Sequence, residues 1–252
     1  MKGYQDLAQK IIFNFNDALN IYKNKPTTYG ALNRLEKQGL IKKVRNNLYV
    51  SINPSTGYAF ANKYQIGSSI NSDAYISHLS ALEYYGYQNQ VNHMCYVSSF
   101  KRFNSFEYEG VIYKHVPIRY NNGVVSPSYT ELINITEIEK TIVDTIQSLG
   151  SIVSLEELIN SIEMIPKLDE HKIMTYLDEY QIQALYQKTG YLISLCNHTL
   201  KFSESFFASV KKKIHKGVLY MSDEAKENGT FIKDYQVIVP KWLEERSSLH
   251  EI

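Results

Sequence analysis

Cysteine is nearly absent. Only Cys95 and Cys196 occur in 252 residues, far apart and with no Cys or His at ligand spacing, which excludes a disulfide framework and a zinc motif. Long apolar runs are missing as well: the most apolar stretch near the start, Ile11-Ile12-Phe13, is broken at Asn14 and Asn16. It is too short for a signal-peptide core or a membrane span, so a cytoplasmic protein with no membrane partner is expected. There is no fixed-period repeat and no low-complexity tract. The hydrophobic share of 44% and charged share of 21% are those of ordinary globular protein and exclude disorder as the ground state. The length suits two domains.

Catalytic signatures are equally scarce. Gly67-Ser-Ser-Ile-Asn-Ser-Asp73 superficially resembles the start of a nucleotidyltransferase site, but Tyr75 stands where a second carboxylate is needed. Without that pair no two-metal clamp forms, and the stretch reads as a loop. Glu224-Ala-Lys226 has a nuclease-like spacing but lies in a loop-like Asp-Glu-Ala-Lys-Glu-Asn-Gly tract with no strand to hold it. The seven histidines are scattered. No enzyme, no metal and no cofactor are expected.

Net charge is only +1, yet its distribution is uneven. Residues 1–53 hold nine lysines and arginines against Asp6, Asp17 and Glu36, a net +6, while residues 54–252 carry eighteen basic and twenty-three acidic residues, a net −5. A basic amino-terminal module on a mildly acidic body suits a nucleic-acid-reading domain joined to a differently employed one.

The basic module has its own pattern. Tyr4, Leu7, Ala8, Ile11 and Ile12 recur at helical spacing, a short second helix follows around Asp17 to Tyr22, and Thr28, Ala31, Leu32 and Leu35 form the apolar side of a third. Pro26 pre-sets the first turn of that third helix, or a threonine of Thr27-Thr28 caps it. Gly39 follows Lys37 as a helix stop. Leu40-Ile41, Val44 and Leu48-Tyr49-Val50 then bracket Lys42-Lys43 and Arg45-Asn46-Asn47 as a tight basic hairpin. Three helices and a hairpin are the pattern of a winged helix-turn-helix, whose exposed helix face enters the major groove, where Asn reads adenine and Arg or Lys reads guanine. Asn33 and Arg34 are therefore assigned specificity, with Thr27 and Lys37 beside them. Lys42, Lys43 and Arg45, with Asn46 and Asn47 at the turn, are assigned phosphate contacts or entry into the minor groove from a free tip. Gly30 inside the helix permits a close approach either to the phosphate backbone or to the second helix.

Ser51-Ile-Asn-Pro54-Ser-Thr-Gly57 is the expected linker, dividing a winged-helix domain, 1–53, from a mixed α/β domain, 54–252. In the latter the pattern predicts helices from Tyr58 to about Ile66 and around Leu79 to Tyr85, ending at Gly86. Strands are expected at Met94 to Val97, Tyr108 to Val116 and Tyr129 to Ile135, the first two forming a hairpin through Lys101 to Ser105. Thr136-Glu-Ile-Glu139 reads as a capping box opening a helix with Ile138, Ile142, Ile146 and Leu149 as its stripe. Further helices are expected at about 154–163, 169–180, 181–195 and 203–215, and strand-like pieces at 217–221 and 234–239. The fold class is α+β, helix-rich in its second half. Lys211, Lys212, Lys213 and Lys216 form either a second nucleic-acid contact or the solvated end of a helix.

Several blocks together resemble the AbiEi family, antitoxins of two-gene type IV abortive-infection toxin–antitoxin systems. They are the winged helix, His78-Leu-Ser80-Ala-Leu-Glu-Tyr-Tyr-Gly86, Val97-Ser-Ser-Phe-Lys101-Arg102, Ile135-Thr-Glu-Ile-Glu139-Lys140-Thr141-Ile-Val143-Asp144, Gly190-Tyr-Leu-Ile193 and Tyr235-Gln-Val-Ile-Val-Pro240. The resemblance implies an amino-terminal domain that binds repeats in its own promoter DNA and represses the operon. It implies a larger domain with antitoxin activity that helps cooperative DNA binding, and a nucleotidyltransferase-like toxin as functional partner without need of a stable complex. The alternative is a stand-alone winged-helix regulator whose body binds a ligand or dimerises.

Overall fold

Short helices and strands alternate in the basic segment. In the computed structural model, which describes residues 4–89, 92–243 and 246, it runs α1 (Tyr4–Ala8), β1 (Ile12–Phe13), α2 (Phe15–Tyr22), α3 (Lys25–Lys37), β2 (Ile41–Arg45) and β3 (Leu48–Ser51). The helical spacing that began at Tyr4 stops at Ala8. Ile12 and Phe13 instead pair antiparallel with Val50 and Tyr49, completing a three-stranded sheet in the order β1-β3-β2. A β-branched and an aromatic side chain favour that pleated surface, and the Phe13 ring stacks on Tyr49 at 5.6 Å. Asn14 opens α2 through a reciprocal capping box with Asp17. The cap of α3 is Asn24, whose side chain accepts from the Thr27 amide at 3.1 Å, so neither Pro26 nor a threonine fills that role. Gly39 sits at φ +69° and Asn47 at +63°; the second asparagine of the hairpin turn thus takes the left-handed position that glycine often fills.

The stretch after β3 is a turn rather than a divider. The Asn53 amide donates to the Tyr58 carbonyl and the Phe60 amide to Ser51, so Tyr58 to Phe60 runs back along the chain and the next helix starts later. The chain divides into two compact units, residues 1–76 with 92–135, and 77–91 with 136–252. The 53/54 boundary therefore falls inside the first unit.

That unit continues with α4 (Lys63–Ser68), β4 (Tyr75–Ile76), β5 (Met94–Ser99), β6 (Phe106–Tyr108), β7 (Val111–Pro117), β8 (Val124–Val125) and β9 (Ile135–Thr136). They form a six-stranded sheet in the order β6-β7-β5-β4-β9-β8. Gly67 and Ser68, expected in a loop, belong to α4. A Cβ on Gly67 would lie 2.6 Å from Ile76 Cδ1, so the helix sits close on the sheet because this residue has no side chain. The expected β5–β7 hairpin is corrected: these strands are parallel. The reversal lies at Glu109-Gly110, both at positive φ, and it pairs β7 with β6. Most of Tyr129 to Ile135 is not strand; only Ile135 at its end pairs, with Ile76.

The second unit holds α5 (His78–Tyr84), α6 (Ile138–Gln147), α7 (Leu155–Glu163), α8 (Glu170–Tyr180), α9 (Gln183–Leu195), α10 (Asn197–Leu200), α11 (Glu204–Lys212) and α12 (Glu224–Asn228). It also holds a small sheet of β10 (Leu219–Tyr220), β11 (Gly229–Ile232) and β12 (Val237–Pro240). Ser154, Asp169 and Ser203 cap α7, α8 and α11 through their side chains. The capping box expected at α6 does not form. Its N-cap is Glu137, whose side chain makes no capping bond and instead accepts from Lys172 and Tyr176, while the Glu139 carboxylate accepts from the Asp169 amide at 3.0 Å. The tract around Glu224 and Lys226, expected as a loop, is α12. A Cβ on Gly190 would lie 2.7 Å from Val210 and 2.8 Å from the Tyr235 ring, so α9 and the approach to β12 fit together only around glycine. The molecule is α+β, with helices concentrated in its second half.

Candidate nucleic-acid interface

One face of α3 is committed to the interior. Thr28, Ala31, Leu32 and Leu35 are buried, the leucines in a cluster with Leu7, Phe13, Ala18, Ile41 and Tyr49. At about 100° per residue, Thr27, Gly30, Asn33, Arg34 and Lys37 fall on the opposite side, and all five are exposed. The side chains of Asn33, Arg34 and Lys37 make no hydrogen bond or ion pair among the described residues. Thr27 donates to its neighbour Asn24 at 3.3 Å. Gly30 lies at the centre of this face, where an added Cβ would meet nothing within 4 Å. Of the two readings of Gly30, close packing on the second helix is thereby removed. Tyr29, 55% exposed, borders the face and rests on Phe15 at 4.5 Å.

The hairpin is not a free basic tip. Lys42 Nζ bonds Glu109 Oε1 at 2.7 Å, and its ammonium lies 6.0 Å from the Tyr108 ring centre. The Arg45 guanidinium is packed on two aromatic rings, 5.4 Å from Phe103 and 5.0 Å from Phe106. Burial pulls its pKa below the usual arginine value, and its Nη1 is buried without a hydrogen-bond partner. These contacts tie β2 to the edge of the six-stranded sheet. Within the hairpin Lys43 remains exposed with no ion pair among the described residues, and Asn46 is exposed at the turn. Asn47 turns its side-chain oxygen back to the Phe15 amide at 3.0 Å. The sequence contains the receiving rings only as Phe103, within the expected Lys101 to Ser105 turn, and Phe106 just after it. Nothing local links them to Arg45, fifty-eight residues earlier in the chain than Phe103.

The run at the end of α11 is half neutralised. Lys211 pairs with Asp234 at 2.5 Å and Lys213 with Asp178 at 2.8 Å, while Lys212 and Lys216 are exposed. Two cations held by acids favour the solvated helix end over a second contact.

The interior of the second unit is strongly polar around α6. Lys140, 0% exposed, donates to Asp144 Oδ1 at 2.6 Å and Tyr180 OH at 3.0 Å, with the Tyr180 ring centre 4.8 Å from its ammonium. His78, also buried, lies 2.8 Å from Ser77 Oγ and 3.1 Å from Ser148 Oγ. Burial pushes its pKa down to about 4, the nearby Asp144 opposing and Lys140 reinforcing the shift. These groups satisfy one another in the core, as buried polar networks must. Among the described residues no group of three or more His, Cys, Asp or Glu is placed to hold a metal, and no helix is long and apolar enough to cross a membrane.

No family model matches the chain, and no curated protein does. Its fold is shared with a solved structure, the crystal structure of RV2827C protein from Mycobacterium tuberculosis, at a TM-score of 0.68 and 13% sequence identity, covering 100% of this chain and 94% of that one.

Proposed function

We propose that the protein is a DNA-binding antitoxin of the AbiEi kind, which represses its own operon through the α3 face and counters a nucleotidyltransferase-like toxin. The observation that carries the DNA reading is the composition of that face. Thr27, Asn33, Arg34 and Lys37 surround Gly30, all exposed, on a helix whose other side is fully buried. Side chains able to read base edges and a gap that admits a backbone are what a groove-entering helix needs. The order helix, strand, helix, helix, strand, strand, with the sheet in the order β1-β3-β2, supports the winged-helix reading. The antitoxin half rests on the family blocks. Gly190 meets Tyr235 and Lys140 meets Asp144, which gives these blocks a role in building the shared fold. Promoter DNA and the toxin are the proposed partners.

The test uses the full-length chain, because truncation after residue 53 would cut the first unit. The neighbouring reading frame is expressed alone, with this chain, and with Asn33→Ala/Arg34→Ala. Growth arrest relieved by both forms, with promoter repression by the unsubstituted chain alone, is the expected result. A harmless neighbour, or arrest that neither form relieves, would leave a stand-alone regulator.

A further inference from the structure

A cleft of about 480 Å³ lies in the first unit beside the hairpin's anchor, lined by Arg102, Phe103, Asn104, Ser105, Lys114 and His115, with Pro117 at its rim. Its volume is within the range of small-ligand sites, roughly 300 to 1,000 Å³. Arg102 and Lys114 are exposed, and neither has an acidic partner within ion-pair distance among the described residues. Like Arg34, Lys37 and Lys43 of the same unit, and unlike Lys42, which pairs with Glu109, these two cations have no carboxylate beside them among the described residues, and the Lys114 ammonium lies 5.9 Å from the Tyr96 ring centre. Lys101 and Phe100, the latter 60% exposed, extend the same loop.

The loop that carries Arg102 is held from below. Asp73 Oδ2 accepts from the amides of Phe100 at 2.6 Å and Lys101 at 3.4 Å. Asn71 Nδ2 and Ser99 Oγ both donate to the Lys101 carbonyl, at 2.8 and 2.7 Å, and His115 Nε2 bonds the Ser99 carbonyl at 3.0 Å. The Phe103 ring, which carries Arg45 on one side, meets the His115 ring edge-on at 5.1 Å. The backbone that presents Arg102 is thus fixed before any anion binds, so the ordering cost falls on the side chains alone.

We propose that this cleft binds a phosphate group through Arg102 and Lys114, arginine offering its planar fork and lysine a point charge. The phosphate belongs either to the backbone of duplex DNA or to a free nucleotide. In the first case the site extends the α3 interface and rests on the DNA-binding reading; in the second it stands without it.

The experiment measures binding of the full chain to a duplex from upstream of its own gene at several salt concentrations, and of ATP by calorimetry. The chain is compared with Arg102→Gln/Lys114→Gln and with Arg34→Ala, each checked for an unchanged melting temperature. Arg102→Gln alone replaces the double variant should the latter fail to fold. A duplex source predicts weaker DNA binding by the cleft variant, with the salt dependence flattened by about 0.9 for each phosphate the variant no longer holds. A nucleotide source predicts unchanged duplex binding and ATP heat that disappears in the variant. Duplex binding weakened by Arg34→Ala but untouched by the cleft variant, with no ATP heat, overturns the cleft and leaves the α3 reading standing. ATP bound through the cleft with no duplex binding sustains the cleft and removes the α3 reading, and binding of neither overturns both.

Discussion

A glycine inside a helix costs roughly 1 kcal/mol relative to alanine, and at Gly30 no packing contact offsets the cost, since the space above it is open. Gly30→Ala is therefore expected to stabilise the protein by up to about 1 kcal/mol, seen as a rise in melting temperature. The same change should weaken DNA binding, because a methyl group would stand where the nucleic-acid backbone approaches. A stabilised variant with undiminished binding would place that backbone elsewhere. His78 gives a residue-scale pH prediction. Its pKa falls from 6.5 in the unfolded chain to about 4 in the folded one, so the unfolded state takes up the proton first as the pH drops. Its contribution is neutral above about pH 6.5, destabilises progressively down to pH 4, and levels at about 3 kcal/mol below that. In urea unfolding across pH 7.5 to 4, His78→Gln should lose less stability than the unsubstituted chain. Parallel curves would show that the imidazole does not resist protonation.

At the scale of elements, the hairpin was half legible. Apolar residues bracketing Lys42-Lys43 and Arg45-Asn46-Asn47 indicate a hairpin, and β2 and β3 lie there. Its destination is a long-range matter: Arg45 is held by Phe103 and Phe106, an arrangement no local period encodes. The two kinds of hairpin cation are separable. Lys43→Ala should flatten the salt dependence of DNA binding by about 0.9 if it holds one phosphate. Arg45→Ala should instead lower thermal stability and weaken DNA binding with the salt slope intact; a flattened slope for Arg45→Ala would return it to the phosphate contacts. Helix α6 teaches a similar lesson. Of its expected stripe Ile142 and Ile146 are buried while Ile138 and Leu149 are half-buried, and its capping box does not form because Glu139 serves the start of α8 instead. The burial of Lys140 is invisible in sequence, since lysine is rarely inside unless paired. Lys140→Met alone should destabilise by about 3–5 kcal/mol by stranding Asp144, and Lys140→Met/Asp144→Leu should recover most of that stability in chemical unfolding. A single variant as stable as the double would show that the pair is not coupled. The helix starts near 154, 169 and 203 were readable, and Ser154, Asp169 and Ser203 cap them within three residues. The two-residue β1 and the parallel pairing of β5 with β7 were not, because tertiary partners decide them.

For the whole molecule, the small net charge conceals an uneven distribution of charge along the chain. The basic amino-terminal segment belongs to the first compact unit together with the six-stranded sheet, so the module proposed to read DNA is anchored on a larger body by Lys42 and Arg45. In the second unit Lys140 and Asp144 are buried as a pair and Glu139 is buried on the Asp169 amide, and two of the four lysines of its basic run are matched by acids. In the first unit unmatched positive charge lies on the α3 face at Arg34 and Lys37 and on the loop of Lys101 and Arg102, and exposed charge of this sign attracts a polyanion. The most direct test of the central claim is the equilibrium affinity of the full chain for DNA from upstream of its own gene and for a scrambled duplex, with and without Arg34→Ala. The account predicts a preference for the first duplex, of which Arg34→Ala removes about 1–3 kcal/mol while binding to the scrambled duplex changes far less. Equal affinity for the two duplexes, or a preference that Arg34→Ala leaves intact, would contradict it.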